Sequence, residues 1–365
     1  MAPLRVAAIG VGRIGVFHAR HLQEIGAETG ECELVAVADR HGKTAQHIAA
    51  ELGKRQVGEI SHFNSAEELA AAGVASAALI ASRTEDHERD ARACVGSGMR
   101  VLLEKPLAGD LDSARALDAW LEESEERRRS VMLAFQRRYD DALLQTRKWL
   151  QEERIGRLFK IVSILEDPEP PPKGYQSAGL LVDMGVHNAD EVIWMSGQEP
   201  TRVAGVGARL HNQKLPDVTV EDFDDALVQL WFGEEMTAQI QVSRNHVAGY
   251  RNETFFYGSA GFIHVGAFRG DPKTVEVALY GRGQELLDSH SFALRDYGEE
   301  APVFIQRFGL AYKAEIIDFV QRCRSGELFA VTHRDGLRAI EVVAASAESL
   351  REASQALCVI LSPRP

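Results

Sequence analysis

Arg5-Val6-Ala7-Ala8-Ile9-Gly10-Val11-Gly12-Arg13-Ile14-Gly15 decides how the rest of the chain is read. The apolar run Val6 to Ile9 is too short for a helix and has the character of a buried parallel strand. It passes directly into a Gly-x-Gly-x-x-Gly turn, after which Ile14, Phe17, Leu22 and Ile25 recur at helical spacing. Glycine serves three ends there: a tight turn, close approach of backbone to a pyrophosphate, and close packing of helix on strand. The N-terminus of the helix offers unpaired N–H groups and a positive dipole end to phosphate. A second strand, Glu33 to Ala38, ends at Asp39, close to the ~20-residue offset of the acid that grips the adenosine ribose hydroxyls. The glycine spacing alone also fits a plain glycine-rich turn. With strand, helix and acid in place, it reads as a dinucleotide site. Arg40 bears on the choice of dinucleotide, because an arginine beside the acid can accommodate a 2′-phosphate. NAD is the expectation.

The whole chain sets bounds on the rest. Its 365 residues suffice for about two domains. A net charge of -13 argues against nucleic acid or a membrane surface as partner, since either calls for a basic patch. The longest apolar runs, such as Ala77 to Ala81, fall far short of a membrane span, and no secretory signal is read at the N-terminus. Cys32, Cys94, Cys323 and Cys358 are scattered without a CxxC pair, as in a reduced, cytoplasmic protein.

After Asp39 the pattern alternates helix and strand, as a doubly wound parallel sheet does. A helix is expected over His41 to Leu52, and a short strand ends at His62-Phe63. Ser65-Ala66-Glu67-Glu68 has the form of a capping box. Strands follow at Ala75 to Ala81, Arg100 to Leu103 and Val131 to Phe135, with helices from Thr84 to Gly96 and from Leu111 to Arg129 between them. A nucleotide-binding domain is therefore drawn over residues 1–135 and a second domain over 136–365. The second opens with a helix, Asp141 to Glu153, and a strand, Leu158 to Leu165. A proline-rich loop, Pro168 to Pro172, precedes a helix from Leu181 to Met195. From Thr201 to Tyr280 short strands alternate with turns, which suggests an antiparallel sheet. Two helices, Ala311 to Arg324 and Asp335 to Glu352, end the pattern.

Four places carry chemistry. Lys105, in Glu104-Lys105-Pro106, sits at the end of a parallel strand, on the edge where doubly wound sheets bind ligands. It can face a nicotinamide or simply be a solvated lysine. Asp183 and His187 are four apart on a predicted helix and so share a face. A histidine with a carboxylate beside it can serve as general acid and base, or the two can form an ordinary surface pair. Asp190 and Glu191 lie one turn further on, but with no second histidine or cysteine nearby no metal is expected. Arg137 and Arg138 follow the sixth strand, where one can reach substrate hydroxyls while the other pairs with Asp140; a salt-bridged hinge is the plainer alternative. Asn245, His246 and Tyr250 follow a strand of the second domain and can line a polar pocket.

Glu104-Lys105-Pro106, Phe135 to Asp140, Gly179 to His187, Asp224-Asp225-Ala226 and Glu315 to Phe319 together resemble the Gfo/Idh/MocA oxidoreductase family over essentially the whole chain. Within it, the GVGRIG turn, FQRRYD and Asn245 to Tyr250 are most similar to inositol 2-dehydrogenases. The resemblance implies an N-terminal Rossmann domain and a C-terminal α+β domain with a large open, mostly antiparallel sheet through which subunits associate as a homo-oligomer, dimer or tetramer. It implies that Lys105 lies beside the nicotinamide, that Asp183 and His187 are the acid/base pair, and that Arg137 and Tyr250 line a polyol site. His246, Val247 and Ala248 depart from the usual inositol-enzyme residues, and the loop Pro168 to Ser177 is unfamiliar. The cofactor is then expected on Gly10, Gly12, Arg13, Ile14, Gly15, Asp39 and Arg40, on Ser82, Thr84 and His87 after the fourth strand, and on Glu104 and Lys105. The substrate is expected on Lys105, Arg137, Asp183, His187, Asn245, His246 and Tyr250. The expected reaction is NAD-dependent oxidation of a secondary hydroxyl of a cyclic polyol or sugar. An NAD-dependent glycoside hydrolase and a non-catalytic NAD-binding regulator are the alternatives on the same fold.

Overall fold

The computed structural model describes residues 2–54, 58–168, 178–210, 223–270 and 273–355. Cys358, most of the loop from Pro168 to Ser177 and the Asp271-Pro272 turn lie outside the described residues. The chain divides into two compact units, residues 1–141 with 294–340 and residues 142–293 with 341–365. It therefore passes between units three times, and the helix expected from Ala311 belongs with the first unit.

The first unit is built on six parallel strands: β1 (Leu4–Ile9), β2 (Cys32–Ala38), β3 (Ser61–Phe63), β4 (Ala77–Ile80), β5 (Arg100–Glu104) and β6 (Val131–Ala134). Their order, β3-β2-β1-β4-β5-β6, reverses at β1, so ligands are expected where the β1 and β4 strand ends part. β1, β4 and β6 are apolar because helices cover both faces, and Val6, Ala7, Leu79, Ile80, Met132 and Leu133 are buried. The connecting helices are α1 (Gly15–Thr29), α2 (Gly42–Gly53), α3 (Ala66–Ala72), α4 (His87–Gly96), α5 (Leu111–Glu122) and α6 (Glu125–Arg128). The cap expected at Ser65 is present, its Oγ accepting from Glu68 N–H at 3.2 Å. The Glu68 carboxylate reaches back to Asn64 N–H at 2.9 Å, one residue earlier than in a capping box.

Two expected helices differ. The stretch from Leu111 to Arg129 is broken, because Ser124 turns extended and caps a new short helix by accepting from Arg127 N–H. The stretch from Thr84 begins as a single 3₁₀ turn, Thr84–Asp86, before α4.

The second unit starts with α7 (Asp141–Gln151), β7 (Leu158–Glu166) and α8 (Val186–Ser196). Its other strands are β8 (Arg202–Ala208), β9 (Asp225–Phe232), β10 (Met236–Ser243), β11 (Arg251–Gly258), β12 (Phe262–Gly270), β13 (Lys273–Tyr280) and β14 (Leu286–Ala293). They form one sheet in the order β14-β13-β12-β11-β7-β10-β9-β8, antiparallel except where β7 pairs with β10. One face packs its alternate residues inward, Ile161, Ala226, Val228, Phe256 and Val277 among them. On the other, Gln229 and Gln239 bond across β9 and β10 at 3.1 Å, and Phe255 stacks on His264 at 4.3 Å. Helix α9 (Val303–Ser325) belongs to the first unit, and α10 (His333–Gln355) crosses from the first into the second. Among the described residues no helix is long and apolar enough to cross a membrane.

Candidate active site

The glycine turn is resolved into three jobs by what a Cβ would meet at each position. At Gly10, with φ +79°, it would lie 2.4 Å from the Ser82 backbone, so the turn closes tightly against the end of β4. At Gly15 it would lie 1.8 Å from the Gly10 carbonyl oxygen, which sets how near α1 comes to β1. At Gly12 it would meet no protein atom within 4 Å. That opening is where the backbone can come up against a ligand phosphate at the N-terminus of α1. A contrast follows. Gly12→Ala should leave thermal stability near that of the parent and raise KM for a dinucleotide about tenfold, ~1.4 kcal/mol of binding. Gly15→Ala should lower stability and affinity together, and melting curves beside NAD titrations check both.

Asp39 closes the turn from the end of β2. Its carboxylate accepts from Val11 N–H at 3.1 Å and from His41 N–H at 2.9 Å, so both oxygens are held beside the cradle. Arg40 and Arg13 are exposed, Arg13 standing 4.9 Å over the Phe304 ring. Ile14 is the residue before the first turn of α1 and packs into the core. Ser82 and Thr84 are half-buried at the end of β4. His87 is 1% exposed and lies behind that end, with Nδ1 2.7 Å from the Pro106 carbonyl and Nε2 3.2 Å from that of Ser82. Burial pushes its pKa down, so the neutral ring holds one carbonyl by donation.

Glu104 ends β5, 6% exposed, and Lys105 follows it half-buried, joined to Pro106 by a cis bond. Glu104 Oε1 is 2.7 Å from His18 Nε2, and Oε2 accepts from Lys105 N–H at 3.1 Å. Arg137 is 2% exposed on a 3₁₀ turn, Gln136–Tyr139. Asp140 accepts both arms of Arg307, at 2.5 and 3.1 Å, while Arg138 donates to Asp335 at 3.0 Å.

The second unit supplies another cluster. A single π turn, Leu181–Gly185, leads into α8, and the Val186 N–H reaches back to the Leu181 carbonyl. Such turns insert one extra residue into a helix and recur at functional sites. Asp183 lies in that turn and His187 on the first turn of α8, 9% exposed. Arg244, 3% exposed at the end of β10, donates to Asp183 Oδ2 at 3.0 Å. Next to it, Asn245 donates to the Asp224 carbonyl at 3.3 Å, and His246 Nδ1 is 2.5 Å from the Gly249 carbonyl. The Tyr250 hydroxyl accepts from Asn252 at 3.3 Å. Glu191, one turn beyond His187, accepts from Ser163 at 3.3 Å and from Thr254. Arg244 and His18 are among the residues of these clusters that the sequence reading does not reach.

Other groups are chemically quiet. Burial pushes the Cys32 thiol up to about 11 and the Cys323 thiol up to about 12, so neither forms a thiolate near neutrality. Asp118, Glu122 and His333 gather within 4.8 Å, but Arg128 and Arg334 both pair with Glu122.

A reversing parallel sheet with a Gly-x-Gly-x-x-Gly turn and an acid at the end of β2, in a chain that also carries an open sheet and an aspartate–histidine pair at the entry to α8, has the architecture of a nicotinamide-dependent oxidoreductase. Residues 4–133 match the model of the oxidoreductase family with an NAD-binding Rossmann fold, and residues 143–264 match the GFO/IDH/MocA C-terminal domain. The chain belongs to the Gfo/Idh/MocA family. It is 30% identical to an inositol 2-dehydrogenase of Rhizobium meliloti, over 96% of this chain and 98% of that one. It is 27% identical to the scyllo-inositol 2-dehydrogenase (NAD(+)) of Bacillus subtilis, over 95% and 94% respectively. A crystallised myo-inositol dehydrogenase of Corynebacterium glutamicum superposes with a TM-score of 0.78 at 27% identity, over 96% of this chain and 97% of that one.

Proposed function

We propose that this protein oxidises a secondary ring hydroxyl of a cyclic polyol or sugar to the ketone, with NAD taking the hydride. The observation that carries the reading is that one chain of this family holds both the Gly-x-Gly-x-x-Gly turn with Asp39, in its first unit, and the Asp183–His187 pair, in its second. When bound, NAD supplies the electrophilic carbon that accepts hydride. His187 takes the hydroxyl proton, while the C–H pair of the same carbon leaves as hydride, so the alcohol loses two electrons and two hydrogens. Lys105 faces the developing alkoxide with its ammonium group, where fixed charge contributes most to rate. Asp183, itself held by Arg244, orients the imidazole. Arg137, Asn245, His246 and Tyr250 present donors and acceptors for the other ring hydroxyls. Such polar sites reject analogues that leave them unpaired, at about 1–3 kcal/mol per group.

The test is net NADH formation over inositol isomers and pyranoses, assayed beside lactate, malate and an aromatic dihydrodiol. A ring polyol or sugar should give the highest kcat/KM. If an acid or the dihydrodiol won, the polyol assignment would fail although fold and cofactor stood. Bound NAD with no net NADH would instead favour the hydrolase chemistry.

Cofactor preference is a second expectation. A 2′-phosphate would meet the Asp39 carboxylate, already held in place by two N–H groups. NAD should exceed NADP in kcat/KM, and Asp39→Ala should narrow the gap through Arg40. Equal efficiency in the parent protein would assign the decision to Arg40. The reading also takes the protein to be a homo-oligomer, supported by Leu227 and Val206, which stand 42% and 59% exposed on the second sheet.

A further inference from the structure

His18 follows Gly15 by three residues on α1 and is 1% exposed. Among the described residues its ring makes one hydrogen bond, to Glu104, and its Nδ1 has no partner. Tyr312 of α9 meets the ring edge-on at 5.3 Å. The Glu104 carboxylate thus has one oxygen on the helix that faces the phosphate cradle and the other on the backbone N–H of Lys105. We propose that His18 is a positioning residue, which through Glu104 fixes the main chain at Lys105 and so aims the lysine at the reacting oxygen. This rests on the role given to Lys105 above.

A buried hydrogen-bonded pair of polar groups is weak support for stability, since apolar side chains of similar volume commonly serve as well. Fixing one arrangement is the better-attested use of such a pair. Here what it fixes is a turn next to a reacting group. A misplacement of ~1 Å at such a point is worth ~10²-fold in rate.

The groups facing this pair are few. Glu104 faces His18 from α1, His87 from α4 and the adjacent Lys105; His18 faces His21 on its own helix and Tyr312 from α9. Burial pushes the Glu104 carboxyl up, but the bond and charge of His18, then Lys105 and His87, outweigh it and leave it below the usual range. His21 is pushed down to about 3, first by burial and then by His18, and stays neutral. Because the Glu104 pKa is depressed, its charged form persists down to low pH. Without His18 the burial effect has less opposition, so Glu104 protonates at higher pH and its hold on the Lys105 N–H weakens.

The experiment measures kcat and KM for NAD against pH in His18→Ala and His18→Gln, the latter keeping a donor for the carboxylate. His18→Ala should lower kcat about tenfold or more, move KM for NAD far less, and shift the acid limb of kcat to higher pH. His18→Gln should bring the limb back toward the parent. Parental kcat and an unmoved limb in His18→Ala would overturn the proposal, even with a lowered melting temperature, because that is what mere packing predicts. Where the alanine variant does not fold, His18→Leu, which keeps the contact with Tyr312, takes its place. A readout independent of turnover is the ¹³C-dimethyl resonance of Lys105 after reductive methylation, assigned by its loss in Lys105→Arg. It should move in His18→Ala and return in His18→Gln, and a fixed resonance overturns the clamp. A moving resonance in a protein that oxidises no alcohol would sink the role of Lys105 and leave the clamp standing.

Discussion

Replacing His187 with alanine is expected to lower kcat by about 10²-fold or more, the scale of a lost general base, while NAD affinity stays near that of the parent. The reason lies in how the two tasks are divided. In the proposed arrangement the phosphates and ribose would be held by Gly12, the N-terminus of α1 and Asp39, all in the first unit. His187 belongs to the second unit and is reached by none of them in sequence. Lys105→Ala should fall on a similar scale, because an ammonium group aimed at a developing alkoxide acts mainly in the transition state. Asp183→Asn should slow turnover less than removal of the histidine, because the base itself stays and the amide keeps an oxygen for Arg244. Stopped-flow turnover and NAD titration by fluorescence separate the cases. Near-parental turnover in His187→Ala would remove the histidine from the chemistry.

Much of this arrangement is legible in the residues, and where it is not the reasons are physical. The Rossmann half is readable because its strands are buried on both faces, so apolar runs and glycine punctuation repeat in order. β14 escapes notice because Leu286 to Ala293 is exposed or half-buried throughout, which leaves no apolar face to alternate. β8 is masked by Gly205 and Gly207, which look like breakers. A Cβ on either would lie within 2.8 Å of Leu350, so they are there to let α10 approach the sheet. Gly309 likewise hides the first two turns of α9; a Cβ there would lie 2.3 Å from the Tyr297 ring, so its missing side chain makes room for that ring. The site shows the same division. Lys105, Asp183 and His187 can be singled out as candidates from motif and spacing. His18 and Arg244 do not, because their carboxylate partners stand 86 and 61 residues away in sequence. The π turn at Leu181–Gly185 also leaves no mark, since one inserted residue barely alters the apolar spacing.

Loss of the Asp140 carboxylate should be the most damaging single change to stability. Asp140 and Arg307 are both buried, with side chains 6% and 1% exposed, and meet through two parallel hydrogen bonds. Asp140→Ala leaves a guanidinium in the core without its carboxylate, which costs about 3–5 kcal/mol. The pair itself adds much less, because each ion gave up its hydration on burial. The double variant Asp140→Ala/Arg307→Met should therefore recover a large part of the loss, its flexible apolar side chain filling the space along Phe308. Arg307 stands 4.2 Å over that ring, in the cluster of Ile305, Phe308, Ala311 and Tyr312 on α9. Tyr312 is the residue that meets His18, so disorder spreading from Arg307 reaches the clamp at Lys105. Asp140→Ala should accordingly lose turnover at temperatures below its own unfolding transition, and the double variant should regain some of it. Urea unfolding of the parent, both single variants and the double variant gives the coupling free energy directly. A cost below about 1 kcal/mol for Asp140→Ala, the range of exposed pairs, would mean that water reaches Arg307 and that the pair does not anchor α9.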